Sequence, residues 1–151
     1  MKQIVLRQAL TAKPVGADFA MVEAERPACP EGGVVARVVH LSLDPYVGAR
    51  LRGRHMGDAP PRPGIDPIPG AVVAQVIESR SVSLAPGDWV HAMDGAWAEE
   101  VALKAARKLD PALAPLSAHA GVLGMPGLTA WAGMTQLAQV GPGDVVLVDA
   151  A

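Results

Sequence analysis

Short valine-rich runs separated by glycine and proline constrain this chain more than any other feature of its sequence. Among the 151 residues are 16 glycines and 14 prolines, and they stand mainly between the apolar runs. This punctuation is typical of many short strands joined by tight turns. The strands predicted from it cover residues 3–6, 19–25, 34–43, 71–78, 88–93 and 97–103.

The pattern changes after residue 115. Residues 116–123 and 128–138 have helical spacing, and the valine run at 145–148 is typical of a fully buried parallel strand. A strand at that position needs a neighbour, either in the earlier sheet or in chain beyond residue 151. The sequence therefore predicts a mainly β fold with a few helices, of the α+β class, and a long loop over residues 52–69.

Charge and cysteine content narrow the possible functions. Thirteen Lys and Arg against 15 Asp and Glu give a formal net charge of −2, which provides no attraction to nucleic acid or to an anionic membrane. A single cysteine, Cys29, forbids an internal disulfide and a multi-cysteine zinc site. Residues 111–143 lack charge, but Pro115 and Pro126 interrupt them, so we expect no membrane span. With a single cysteine and no visible targeting segment, we expect a cytoplasmic protein.

Metal, nucleophile and phosphate motifs are absent from the sequence. The four histidines are widely separated, and no CxxC, HExxH, GxSxG or GxGxxG sequence occurs, so we expect no metal site. A basic cluster of Arg50, Arg52, Arg54 and His55 is either a solvated loop or the approach of an anionic ligand.

Two segments contain residue patterns that ordinary turns and helix starts do not account for. Residues 41–46 leave a strand and enter a short helix, for which Asp44 is the predicted cap and Pro45 the predicted first residue. Residues 123–131 open a helix with two glycines and a proline, so free amides and a hydroxyl are expected at its N-terminus. Both segments are candidates for ligand contact.

Together, five segments resemble a known family. They are LSLDPY at 41–46, PIPGAVVAQVIES at 67–79, PGDWV at 86–90, LGMPGLTAW at 123–131 and GPGDVVLVDAA at 141–151. In this order they resemble the zinc-independent medium-chain dehydrogenases/reductases, in the branch of the alkenal/one reductases. Relatives in the zinc-dependent branches carry Gly-His-Glu where residues 70–72 are Gly-Ala-Val.

The resemblance implies a GroES-like, partly open β-barrel over residues 1–140 and the first strand of a Rossmann domain at 141–151. It implies hydride transfer from NADP(H), bound mostly by the absent part of that domain, to the β-carbon of an unsaturated ketone or aldehyde. Tyr46 and Arg50 would contact the substrate. The cofactor would contact Met125, Pro126, Gly127 and Thr129. No catalytic acid is assigned, and the chain alone is expected to be inactive.

Two other interpretations remain open. The chain is alternatively a free-standing GroES-like binding module, or part of a quinone reductase of the same superfamily. The resemblance also implies a homodimer for the full-length protein. Without a covering domain, the uncharged segment 111–143 would be exposed, and we expect self-association through that face.

Overall fold

The computed structural model describes residues 1–149. The mainly β fold with a few helices that the sequence predicts is confirmed. The strands are β1 (Lys2–Leu6), β2 (Phe19–Glu23), β3 (Val34–Leu41), β4 (Val72–Ser79), β5 (Trp89–Ala92), β6 (Glu100–Leu103) and β7 (Arg107–Leu109). The α-helices are α1 (Pro45–Leu51) and α2 (Met125–Ala132); short 3-10 helices cover Gly16–Asp18 and Leu116–Ala120, and a π-helical turn covers Gly133–Leu137.

A five-stranded antiparallel sheet, in the order β6-β3-β4-β5-β7, forms the body of the fold. Its two edge strands are joined by residues 104–106 alone, which span at most about 15 Å. A flat sheet of five strands would separate those edges by about 19 Å. The sheet therefore bends toward a partly open barrel, helped by register shifts within β3 and β4.

Valine and alanine fill the interior of the bent sheet. Alternating residues such as Val34 and Ala36 on β3, and Val72 and Ala74 on β4, point into one cluster and are completely or almost completely buried. Val35, between two inward residues, is also fully buried. Both faces of β3 are thus covered at its N-terminal end.

A second apolar cluster supports α1. Val47 and Leu51, four residues apart on one helix face, are buried against Leu6 of β1 and Ile68. The two-stranded sheet β1-β2 lies beside this cluster, and Phe19 of β2 stacks on a tryptophan ring at 6.1 Å. The cluster fixes the side of α1 that faces away from solvent.

Several predicted elements differ in the structure. The predicted strand at 145–148 is wrong: these residues pair with no strand among the described residues, and Val145 is 98% exposed. Without a neighbouring strand, the run has nothing to bury it. Residues 97–99 leave β6 to bond β1 instead. The first predicted helix is a 3-10 helix, and the second begins at Met125 rather than at 128.

No helix within residues 1–149 is both long and apolar enough to cross a membrane.

Candidate functional site between two helices

Helix α1 presents two of the predicted site residues together. Pro45 occupies the first turn, as predicted, where its missing N–H costs no hydrogen bond. Tyr46 and Arg50 are four residues apart and share one helix face. Val47 and Leu51 anchor the neighbouring side of α1 in the core, and Tyr46 packs against the edge of the same cluster. Tyr46 and Arg50 both line a cleft beside the helix.

The cleft has a volume of about 360 Å³. The Tyr46 ring lies 5.4 Å from the His55 ring, at an interplanar angle of 47°. The Tyr46 hydroxyl oxygen is buried and has no hydrogen-bond partner among the described residues. A buried donor without an acceptor is uncommon and costs stability. Further lining comes from Arg50 and Asp58, and from Met93 and Asp94 after β5.

The charges in this cleft do not favour an anionic ligand. The Arg50 Nε lies 3.4 Å from an Asp58 carboxylate oxygen, and Asp94 adds a second carboxylate to the lining. The guanidinium is therefore largely neutralised by groups that the sequence pattern did not associate with it. Of the two interpretations of the basic cluster, the anion site is the less supported.

The four residues predicted to contact a cofactor lie elsewhere, on α2. Met125 is 48% exposed, and Pro126 and Thr129 are also exposed. None of the four lines the cleft of Tyr46. The Thr129 hydroxyl donates its hydrogen to the Met125 carbonyl at 2.9 Å, so its oxygen remains available only as an acceptor.

The start of α2 is more closed than the sequence predicts. The Gly127 amide donates to the Gly121 carbonyl and the Leu128 amide to the Gly124 carbonyl, so these two amides are not free. A Cβ at Gly127 would collide with the Val122 carbonyl. Glycine at this position is therefore required for the tight approach of the turn.

A buried serine links the segment before α1 to the 3-10 helix before α2, and no motif in the sequence signals this role. Ser42 precedes α1 and is 5% exposed; its Oγ lies 3.0 Å from the Ala120 carbonyl oxygen, at the end of the 3-10 helix before α2. Its Oγ also lies 2.6 Å from an Asp44 carboxylate oxygen. Asp44 occupies the predicted N-cap position of α1, but its side chain bonds no amide of the helix.

His119 belongs to that 3-10 helix and lies near His91 of β5. His119 is 2% exposed, and neither ring nitrogen has a hydrogen-bond partner among the described residues. Burial lowers the pKa of His91, and the positive charges of Arg107 and of His119 when protonated lower it further. The His91 ring is therefore suited to the neutral form.

Metal ligands do not converge at any point in residues 1–149. No group of three or more His, Cys, Asp or Glu side chains there could hold a metal ion.

Comparison with protein families matches residues 2–110 to a family described as the N-terminal domain of oxidoreductase. Among curated relatives, the NADP(+)-dependent 2-alkenal reductase of Nicotiana tabacum is 34% identical over 159 residues, and the NADPH-dependent curcumin reductase of Escherichia coli is 34% identical over 161 residues. Each alignment covers 99% of this chain. The chain spans 45% of the length of either relative.

The fold also matches a solved structure. CurA from Vibrio vulnificus, in its complex with NADPH, superimposes with a TM-score of 0.79 at 31% identity. The match covers 95% of this chain and 43% of the CurA chain.

Proposed function

This chain belongs to the family of N-terminal oxidoreductase domains, in the alkenal/one reductase branch of the medium-chain dehydrogenases/reductases, and on that premise we propose that it forms the substrate side of an NADPH-dependent reductase. The proposed reaction reduces the C=C bond of an α,β-unsaturated ketone or aldehyde. The observation that carries the proposal is the Tyr46 hydroxyl, which is buried with no acceptor among the described residues and belongs to a residue that lines the cleft.

Tyr46 suits the oxygen of an enone. Reduction at the β-carbon moves negative charge onto the carbonyl oxygen, and a preplaced donor in a buried site stabilises that charge. The Tyr46 hydroxyl is such a donor, and the packing of Val47 and Leu51 fixes its helix. Arg50, held by Asp58, would position the substrate without adding a strong net charge. Protonation of the α-carbon completes the reaction.

The residues of α2 fit the cofactor assigned to them by resemblance. NADPH, when bound, supplies the hydride that reduces the double bond. Met125 offers an exposed apolar side chain, and Thr129 offers a hydroxyl oxygen that accepts but does not donate. Such an acceptor suits the amide NH₂ of a nicotinamide. Pro126 and Gly127 shape the turn that presents them.

Further features belong to the same proposal. We assign residues 1–140 to the barrel domain and 141–151 to the start of a cofactor-binding domain, which would hold most of NADP(H). The reaction would be independent of zinc, since Gly-Ala-Val occupies residues 70–72. The protein would act in the cytoplasm, where a lone cysteine such as Cys29 stays reduced. The full-length protein would be a homodimer.

The test is an assay of the chain extended by its downstream coding sequence. NADPH oxidation is measured with an enone, with the corresponding saturated ketone and with a quinone. The proposal expects turnover of the enone alone. Turnover of the quinone in its place would favour the quinone-reductase alternative, and a downstream sequence without a cofactor-binding domain would overturn the proposal.

Tyr46→Phe sharpens this assay. Loss of one donor to a developing oxyanion lowers kcat by about 10²–10³-fold, whereas Arg62→Ala, which breaks an exposed ion pair with Asp66, should leave kcat unchanged. An unchanged kcat in Tyr46→Phe would remove this tyrosine from the mechanism.

Titration of the 151-residue chain with NADPH distinguishes part of a larger cofactor site from a self-sufficient binding module. Tyr46 is the single tyrosine of the chain. An isotope label at one atom of tyrosine therefore gives one NMR resonance, and that resonance reports on the cleft. On titration with NADPH the proposal expects weak binding or none. Tight, saturable binding by the 151-residue chain would favour the module.

A further inference from the structure

Ser42 lies where three segments of the chain meet. Its backbone amide donates to the Ala71 carbonyl at 2.9 Å, which fixes the residue against the entrance to β4. Its side chain is 5% exposed and reaches Ala120, 78 residues further along the chain. It therefore links the segment that leads into α1 with the segment that leads into α2.

Motion at Ala120 would be transmitted to α2 through a continuous set of hydrogen bonds. The amide of Leu123 donates to the Ala118 carbonyl, and the amide of Gly127 donates to the Gly121 carbonyl. A Cβ added at Gly124 would lie 2.5 Å from the His119 carbonyl oxygen, so the backbone of this turn is closely packed. The position of α2 thus depends on where the 3-10 helix is held.

The Ser42 hydroxyl has two acceptors but a single hydrogen. The Asp44 carboxylate oxygen at 2.6 Å and the Ala120 carbonyl oxygen at 3.0 Å both lie within hydrogen-bond distance. The shorter distance is typical of a hydroxyl that donates to a charged carboxylate. Whenever the hydrogen points to Asp44, the link to Ala120 is lost.

We propose that Ser42 is a positioning residue that holds α2 in place relative to α1, and that Asp44 competes with Ala120 for its hydrogen. This proposal rests on the proposed function only for its consequence, which is that the substrate-side and cofactor-side helices keep a fixed separation. The link itself is a property of the chain and is tested without cofactor or substrate.

The experiment measures amide hydrogen exchange by NMR in the 151-residue chain. The reporters are the amides of Gly121, Leu123, Gly124, Gly127 and Leu128, all hydrogen-bonded within the turn before α2 or in its first turn. The reference is the Val76 amide, which bonds the Asp88 carbonyl within the sheet. Opening of the turn changes the reporters and leaves the reference unchanged.

Three variants give separate results. Ser42→Ala removes the bond to Ala120, which the Ser42 hydrogen makes only while it does not point to Asp44, so the reporters should exchange faster by at most about 10-fold. Asp44→Ala removes the competing acceptor at no loss of a cap, so the same amides should exchange more slowly. Ser117→Ala is the matched control, since this serine is exposed on the same 3-10 helix and its hydroxyl makes no hydrogen bond within residues 1–149.

Opposite effects of Ser42→Ala and Asp44→Ala on the reporters, with the Val76 amide and the control unchanged, would support the proposal. Faster exchange at the reporters and at Val76 alike would show a general loss of stability and overturn it. Faster exchange in Asp44→Ala would overturn it too, even if Ser42→Ala did not fold. None of these three outcomes bears on whether the protein reduces enones.

Discussion

The two parts of the chain use apolar residues differently. In residues 1–110, valines of β3 and β4 such as Val34 and Val72 are completely buried. In residues 111–149, His119 alone is buried among the described residues, while Leu128 and Trp131 of α2 are each 58% exposed. An apolar run thus becomes a core only where another element covers it. The uncovered surface is the one that carries the proposed cofactor contacts.

The largest expected effect is on the free energy of unfolding, and it is tested by making a leucine-to-alanine substitution once in each part of the chain. Leu103→Ala empties a fully buried site in the barrel and should lower the free energy of unfolding by about 2–5 kcal/mol. Leu128→Ala, on the exposed face, should change it by less than about 0.5 kcal/mol. Denaturant unfolding measures both. Equal losses would contradict the contrast between the two parts.

Two glycines near α2 test whether its turn is tightly constrained. Gly127→Ala forces a methyl group against the Val122 carbonyl and should weaken the turn by about 1–3 kcal/mol. A Cβ added at Gly133 would meet no atom within 4 Å, and Gly133 has helical dihedral angles. Gly133→Ala should therefore stabilise the helix by about 0.5–1 kcal/mol. Amide exchange at Leu128 measures both changes. A neutral Gly127→Ala would show that the turn is less constrained than described.

The exposed face of α2 is expected to cause self-association of the chain. Leu128 and Trp131 lie three residues apart on one side of the helix, and the double substitution to lysine should weaken association about tenfold or more. Val82→Lys, at an exposed apolar residue between β4 and β5, is the matched control and should have no effect. Sedimentation of the unmodified chain as a monomer at all concentrations would contradict the prediction.

The smallest expected effect is on the pH dependence of stability. Because burial lowers the pKa of His91 in the folded chain, the unfolded state binds more protons near pH 6.5. His91 therefore costs no stability well above pH 6.5, and stability falls as the pH drops from there through the folded pKa. His91→Gln should flatten this dependence in thermal unfolding between about pH 5 and pH 8. An unchanged slope would contradict it.

The barrel was largely predictable, because valine alternation and glycine or proline turns act locally. β7 was missed, since Arg107–Leu109 carries no apolar pattern. The strand at 145–148 was wrongly predicted, because composition cannot tell whether a neighbour is present. At the site, Tyr46 and Arg50 are assigned to the substrate by the family resemblance, and both line one cleft in the structure. The role of Ser42 depends on a contact 78 residues away, for which one sequence contains no signal.

The central claim is that α1 and α2 form the substrate and cofactor walls of one active site. A crystal structure of the extended protein with NADP⁺ and an unreactive enone analogue tests it most directly. The account predicts that the nicotinamide contacts Met125 and Thr129, and that the analogue's carbonyl oxygen accepts a hydrogen bond from Tyr46. A nicotinamide bound away from α2, or a carbonyl oxygen out of reach of Tyr46, would contradict it.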